Sequence, residues 1–328
     1  MANISTRFFG LDLKSPVIAG SSSMTGHAEQ VVKLAEAGAG AIVLKSIFEE
    51  EIFAELQEEL ALRSPLNSDP EYLDYFDYVI KEDTLRKYLH LITEVKAKTA
   101  VPIVASINCV SSSEWTLFAR KIQEAGADAL ELNMFVTPSD SNKTSDQGES
   151  FYFETIQKVL QAVSIPVTVK ISHYFSNLSG IVKKLSQTGI AGITVFNRFY
   201  SPDIDIENES VVVADVLSSP HDYLLALKWT GILSGQVEAD LSATTGIHSA
   251  ETAVKFLLSG ASAVQVASVI YHEGPSAITK MNQGISDWMD KKGYKTIDEF
   301  KGSLSQAATS AQAWERTQFM KYFGEKTY

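Results

Sequence analysis

Two lysines stand where lysines are costly. Lys45 closes the apolar run Ala41–Leu44, and Lys170 lies inside the run Val167–Ile171. A buried cation needs a partner, so two at one end of a fold imply an anionic or electron-rich ligand between them. The competing reading pairs each with a neighbouring carboxylate. Asn133 ends the run Ala129–Asn133, and Asn197 follows Phe196. A side-chain amide donates and accepts together, which suits the edge of a heterocycle; singly, either could cap a loop. Arg198 offers the planar fork that binds a carboxylate bidentately, with Asp203 and Asp205 as its expected structural partners. His173, in Ser172-His173-Tyr174-Phe175, is a side chain able to move a proton near neutral pH; a loop histidine bonded to backbone is the alternative.

Two further segments are rich in small residues. Ser242-Ala243-Thr244-Thr245-Gly246-Ile247 precedes the helical pattern Ala250–Leu258, and Ala267-Ser268 follows the run Ala263–Val266. Small residues ahead of helix N-termini let backbone N–H groups reach a phosphate, though each segment also reads as an ordinary turn.

The elements that must position these residues repeat as apolar run, turn and amphipathic helix. The runs are Val17–Gly20, Ala41–Leu44, Ile103–Ile107, Ala129–Asn133, Val167–Ile171, Gly192–Phe196, Val237–Leu241 and Ala263–Val266. They are short and β-branched, as strands covered on both faces should be. Helical patterns at 30–37, 84–96, 113–125, 151–162, 178–187, 223–230, 250–258 and 276–291 alternate with them, and several stop at a glycine just before the next run (Gly38, Gly126, Gly189, Gly260). Eight strands in βα alternation predict a closed (β/α)8 TIM barrel, an α/β fold, with an open doubly wound sheet as the alternative. Thr6–Phe9 and Leu11–Leu13 read as a short hairpin closing the bottom. No linker divides 1–328, so one barrel domain with a helical tail at 303–328 is expected. Three stretches exceed ordinary βα loops: 46–81, 134–150 and 197–219. All follow strands, which in a barrel places them on the C-terminal face.

The chain of 328 residues carries 28 Lys and Arg against 40 Asp and Glu, a net charge of −12. That surface argues against general nucleic-acid or anionic-membrane binding. No long apolar stretch predicts a membrane span, the N-terminus lacks a signal-peptide core, and a cytoplasmic protein is expected. The single cysteine, Cys109, rules out an intramolecular disulfide and any Cys-rich metal site; it reads as buried and inert. The acidic run Glu49-Glu50-Glu51 reads as a solvated helix face.

Several segments, in order along nearly the whole chain, resemble class 1 dihydroorotate dehydrogenases. They are Leu130-Glu131-Leu132-Asn133, Val167-Thr168-Val169-Lys170, Thr245-Gly246-Ile247, Leu257–Ser262, His272-Glu273-Gly274-Pro275 and the tail Lys292–Gly302. The resemblance implies a soluble enzyme, often a homodimer, that holds FMN at the barrel mouth and oxidises a CH–CH bond of a small-molecule substrate in pyrimidine biosynthesis. Carried over residue by residue, Gly20, Ser21, Lys45 and Ser46 would contact the flavin, with Lys45 also near substrate. Asn133 and Lys170 would bind the isoalloxazine and ribityl region. Thr245, Gly246, Ala267 and Ser268 would hold the phosphate, and Asn197 and Asn67 would reach the substrate.

The chain also departs from the pattern. The family's Ser-Cys-Pro-Asn segment, whose cysteine is the general base, is replaced by Met134-Phe135-Val136-Thr137-Pro138. With a one-residue insertion Thr137 takes the cysteine's place. A threonine hydroxyl is a poor base without activation, which leaves His173 as the competing proton-transfer group. Only Pro65-Leu66-Asn67-Ser68 stands where the family's Asn-Ser-Met-Gly substrate segment falls, and Ala243 and Thr245 occupy positions that are usually glycine. The cofactor side reads as retained and the substrate side as rebuilt. A single chain of this kind would use fumarate as electron acceptor; the other class 1 type would need an iron–sulfur partner subunit. A barrel isomerase or lyase acting on a phosphorylated metabolite, and a flavin-binding barrel with altered or lost catalysis, are the rival readings.

Overall fold

The structure, a computed structural model, describes residues 2–48, 70–108, 115–198 and 201–315. Asn67, Cys109 and the acidic run at 49–51 lie outside them. Thirteen strands are described: β1 (Thr6–Phe8), β2 (Leu11–Leu13), β3 (Val17–Ala19), β4 (Ile42–Val43), β5 (Ile47–Phe48), β6 (Ile103–Asn108), β7 (Ala129–Asn133), β8 (Val167–Ile171), β9 (Gly192–Val195), β10 (Pro202–Asp205), β11 (Ser210–Val213), β12 (Asp240–Thr244) and β13 (Ala263–Val266). The parallel sheet runs β4-β3-β13-β12-β9-β8-β7-β6, and pairing of β4 with β6 closes it. β4 and β5 are two halves of one staved position, both paired with β6. The fold is therefore the expected (β/α)8 barrel.

The surrounding helices are α1 (Ala28–Glu36), α2 (Pro70–Lys98), α3 (Trp115–Glu124), α4 (Ser145–Ala162), α5 (Leu178–Ser186), α6 (Tyr223–Leu233), α7 (Ala250–Ser259), α8 (Ser268–Glu273) and α9 (Ser276–Lys292), with the short α10 (Ala311–Glu315) after them. Local chemistry sets their ends. Ser249 caps α7 by accepting from Thr252 N at 3.2 Å, and Gly260 closes it at φ +113°, a left-handed conformation that only glycine adopts without strain. Thr144 and Gln147 form a capping box that starts α4.

Strand periodicity sorts side chains by height inside the barrel. Along β7, Ala129, Glu131 and Asn133 share the inward face from bottom to mouth, while Leu130 and Leu132 join the apolar layer under the helices. The bottom layer is apolar. Phe8, Phe9 and Leu13 of the β1–β2 hairpin pack with Ile18, Val43, Val104, Ala129 and Ala263. Gly192 leaves room for Phe8, since a Cβ there would lie 3.1 Å from its ring. The hairpin closes the bottom as its sequence implied.

Three expectations need correction. The seventh barrel strand is Asp240–Thr244, not Val237–Leu241; its inward Ser242 and Thr244 are polar, so the apolar run ends before the strand does. The segment 197–219 is not simple loop, because β10 and β11 form an antiparallel hairpin within it. Its alternating acidic residues hid that pairing. Finally, α2 begins at Pro70, well before the helical pattern at 84–96.

Candidate active site

Barrel topology brings one residue from nearly every strand tip to the same cavity of about 630 Å³ at the C-terminal mouth. Ser21, Lys45, Asn133, Lys170, Asn197, Arg198, Thr245, Gly246, Ala267 and Ser268 all line it. Ser46 is 4% exposed and sits just behind; it donates from its backbone N–H to Ser21 Oγ at 3.0 Å. Gly20 lies beneath, where a Cβ would approach Val266 O at 3.4 Å. A volume of this size suits a cofactor or a small ligand.

Lys170 is the most telling member. It is 8% exposed, and its one hydrogen bond among the described residues is a long one, 3.5 Å to Gln265 Oε1. An ammonium has three donors, and keeping one buried with a single weak acceptor is unfavourable. A flavin ring presents the electron-rich oxygen and nitrogen that such a cation lacks, so the donor set fits the cofactor implied by the resemblance. Beside it, Asn197 Nδ2 donates to Asn133 Oδ1, which joins the two strand-tip amides into one polar edge.

The two small-residue segments converge on a third. Gly246 N–H donates to Ser218 Oγ at 3.2 Å, and Ser218 shares bonds of 2.9 Å with the Ser268 hydroxyl and 3.2 Å with His248 Nε2. These donors are the kind that take a phosphate oxygen. Backbone conformation makes the cradle: Thr245 and Gly246 have φ of +81° and +71°. A Cβ on Gly246 would stand 2.3 Å from Tyr223 N at the start of α6. Thr245 holds a left-handed conformation at a position where glycine is free of strain, a cost of order 1 kcal/mol.

Arg198 reaches the cavity, but its partners are not Asp203 and Asp205. It donates to Val216 O and faces Asp222 at 3.7 Å. Asp205 instead accepts from Glu207 N and Asn208 N and closes the β10–β11 turn, and Asp203 accepts from Ile204 N.

Thr137 and His173 line a second cavity, also of about 630 Å³, between the loops after β7 and β8, together with Tyr152 and Tyr174. Thr137 is exposed there. The His173 ring is 5.7 Å from that of Phe196, and burial holds its pKa below the usual histidine value. Burial likewise pushes the Tyr152 phenol up to about 12. Neither proton-transfer candidate lines the first cavity.

Sequence reasoning missed Ser218, Glu131 and Gln265. Ser218 sits in Ser218-Ser219-Pro220, a small-residue turn like the two that were singled out. Glu131 and Gln265 interrupt apolar strands at inward positions, a polar residue two places below a strand tip in one case and between two valines in the other.

Comparisons with known proteins place the chain in a family. The family profile described as dihydroorotate dehydrogenase matches residues 76–289. The chain is 24% identical to the dihydroorotate dehydrogenase B (NAD(+)) catalytic subunit of Methanothermobacter thermautotrophicus, covering 91% of this chain and 97% of that one. It is 26% identical to the corresponding subunit of Methanosarcina acetivorans over 89% and 93% of the two chains, and 25% identical to that of Pyrococcus abyssi over 91% and 98%. With the family profile matching well over half of the chain and similarity running over nearly its full length, the chain belongs to the dihydroorotate dehydrogenase family.

Proposed function

We propose that the chain is an FMN-dependent oxidoreductase that oxidises dihydroorotate, or a related small carboxylated substrate, at a CH–CH bond. The observation that carries this is the under-partnered, buried Lys170 in a cavity shared with Lys45, Asn133, Asn197 and the Thr245–Gly246 and Ala267–Ser268 turns. Bound FMN would supply the hydride acceptor. Gly246, Ser268 and Ser218 would hold its phosphate, and Asn133 and Lys170 its ring and ribityl region. Positive charge from Lys170 and Lys45 favours the electron-rich state of whatever lies between them.

Arg198 would bind the substrate carboxylate, sharing its fork with Val216 O and Asp222. Asn197 would fix the other edge of the substrate. A proton lost from substrate would go to Thr137 or to His173, which requires the substrate to reach from the first cavity toward the second, which both line. Burial lowers the His173 pKa, which favours the neutral ring that can accept one. Thr137 needs a neighbouring base or a water chain.

A second reading has its own support. The cysteine of the family pattern is missing, and both replacement candidates line the second cavity, which favours a changed substrate on a retained cofactor platform. Anaerobic mixing of the FMN-loaded protein with dihydroorotate separates the two readings. Bleaching of the flavin at a saturable rate supports dihydroorotate; no bleaching by dihydroorotate, with bleaching by another carboxylated compound, supports the changed substrate.

A further inference from the structure

Halfway down the barrel lies a layer of polar side chains that packing alone does not require. Glu131 and Gln265 are 1% and 2% exposed. Gln265 Nε2 donates to Glu131 Oε2 at 2.7 Å and to Thr194 Oγ1 at 3.2 Å. Its other end, Oε1, accepts from Lys170 Nζ at 3.5 Å. Thr194 is held in turn by the Ser242 hydroxyl at 2.8 Å. Four more strands thus lock onto β13, and the amide of Gln265 has one permitted orientation: nitrogen toward a carboxylate, oxygen toward an ammonium.

This layer is expensive. A buried carboxylate loses its hydration, and an apolar layer of equal volume would hold the barrel at least as well. Glu131 Oε1 has no hydrogen-bond partner among the described residues, so the cost is not fully offset. What the layer achieves is placement. Without an acceptor beneath it, the Lys170 side chain could take several rotamers across the cavity floor; with one, the ammonium is biased toward the height of Gln265 Oε1 while its other donors stay free for a ligand.

We propose that Gln265 is a positioning residue for Lys170, its amide oriented by Glu131 and Thr194 so that its oxygen holds the ammonium at the cavity floor against the flavin ring. This role rests on the cofactor reading above. A pre-set cation stabilises charge on a reduced ring without reorganising when that charge appears, so Gln265 acts on the flavin through Lys170 and touches no substrate atom.

The test is the reduction potential of the FMN-loaded protein, measured by equilibration with a reference dye, in Gln265→Glu and Gln265→Met. Gln265→Glu sets a carboxyl against both Lys170 and Glu131, a pair that shares a proton until the pH is high enough to ionise both, and once ionised it should move the reduced-to-oxidised ratio at fixed potential at least tenfold toward oxidised flavin, about 30 mV for a two-electron couple. That offset should shrink as the pH falls and the new carboxyl takes up a proton, since a protonated glutamate again offers Lys170 a neutral acceptor. Gln265→Met keeps the length, removes all three hydrogen bonds and should shift the potential the same way, less far and without pH dependence. Melting temperatures recorded alongside separate stability from placement. If Gln265→Glu does not fold, Gln265→Met carries the test. Variants that hold FMN at the wild-type potential, whatever their loss of stability, overturn the role of Gln265 alone. Unmutated protein that takes up no FMN overturns the cofactor reading and this role with it.

Discussion

At the scale of single residues, the proton is the open question of the chemistry, and two substitutions divide it. Thr137→Val should leave FMN binding intact and, if Thr137 serves the proton step, slow substrate-dependent flavin reduction by about 10²-fold or more, the usual scale for a lost acid–base group. His173→Ala with the same loss, and Thr137→Val without it, would assign the proton to His173. In that case the reduction rate should fall as the pH drops below the ordinary histidine range, because the His173 pKa is lowered by burial and protonation removes the acceptor. Stopped-flow rates across pH read both. The strand-tip residues were legible in the sequence because a lysine or asparagine ending an apolar run is conspicuous. The partners of Arg198 were not: Asp222 is a neighbour only once the β10–β11 hairpin folds the chain back, and nearness in sequence to Asp203 and Asp205 pointed the wrong way. Gln265 was missed for a related reason, since its chemistry exists only across strands.

The elements carry the energetics that hold these residues in place. Phe8 is 1% exposed and packs over Gly192 at the barrel bottom. Phe8→Ala should therefore cost about 3–5 kcal/mol, the range for a truncated core phenylalanine, read by denaturant unfolding. Activity of the remaining folded protein should be spared, because the layer lies at the end opposite the cavity. Gly246→Ala should do the reverse. Its Cβ would stand 2.3 Å from Tyr223 N, so the turn and the start of α6 must shift, and FMN affinity should fall steeply with a smaller loss of stability. Equal losses of affinity in both variants would contradict this division of labour. The alternation of strand and helix was legible because strands covered on both faces read as apolar runs. Where a strand turns polar toward the barrel interior, as Asp240–Thr244 does, the apolar signal fails and the boundary slips.

For the molecule as a whole, pH and association give two further expectations. Burial lowers the pKa of both His173 and His248, so below the ordinary histidine pKa of about 6.5 the unfolded chain binds more protons than the folded one. Their share of stability is complete above that value, is lost as the pH falls from it toward the lowered folded values, and changes no further below them; thermal melts across that window should show the decline. The β10–β11 hairpin exposes Ile204, Ile206, Val211 and Val213, an apolar face suited to the homodimer that the family resemblance implies. Val211→Asp should shift sedimentation toward the monomer, whereas an unchanged sedimentation coefficient would place any dimer contact elsewhere. Among the described residues no helix is long and apolar enough to cross a membrane. FMN bound at the mouth of the barrel is tested most directly by the visible spectrum of the purified protein. The expected result is the absorbance of oxidised flavin, present on isolation or after incubation with FMN and absent from Gly246→Asp, whose carboxylate would stand where the phosphate binds. A colourless protein that takes up no FMN would contradict it.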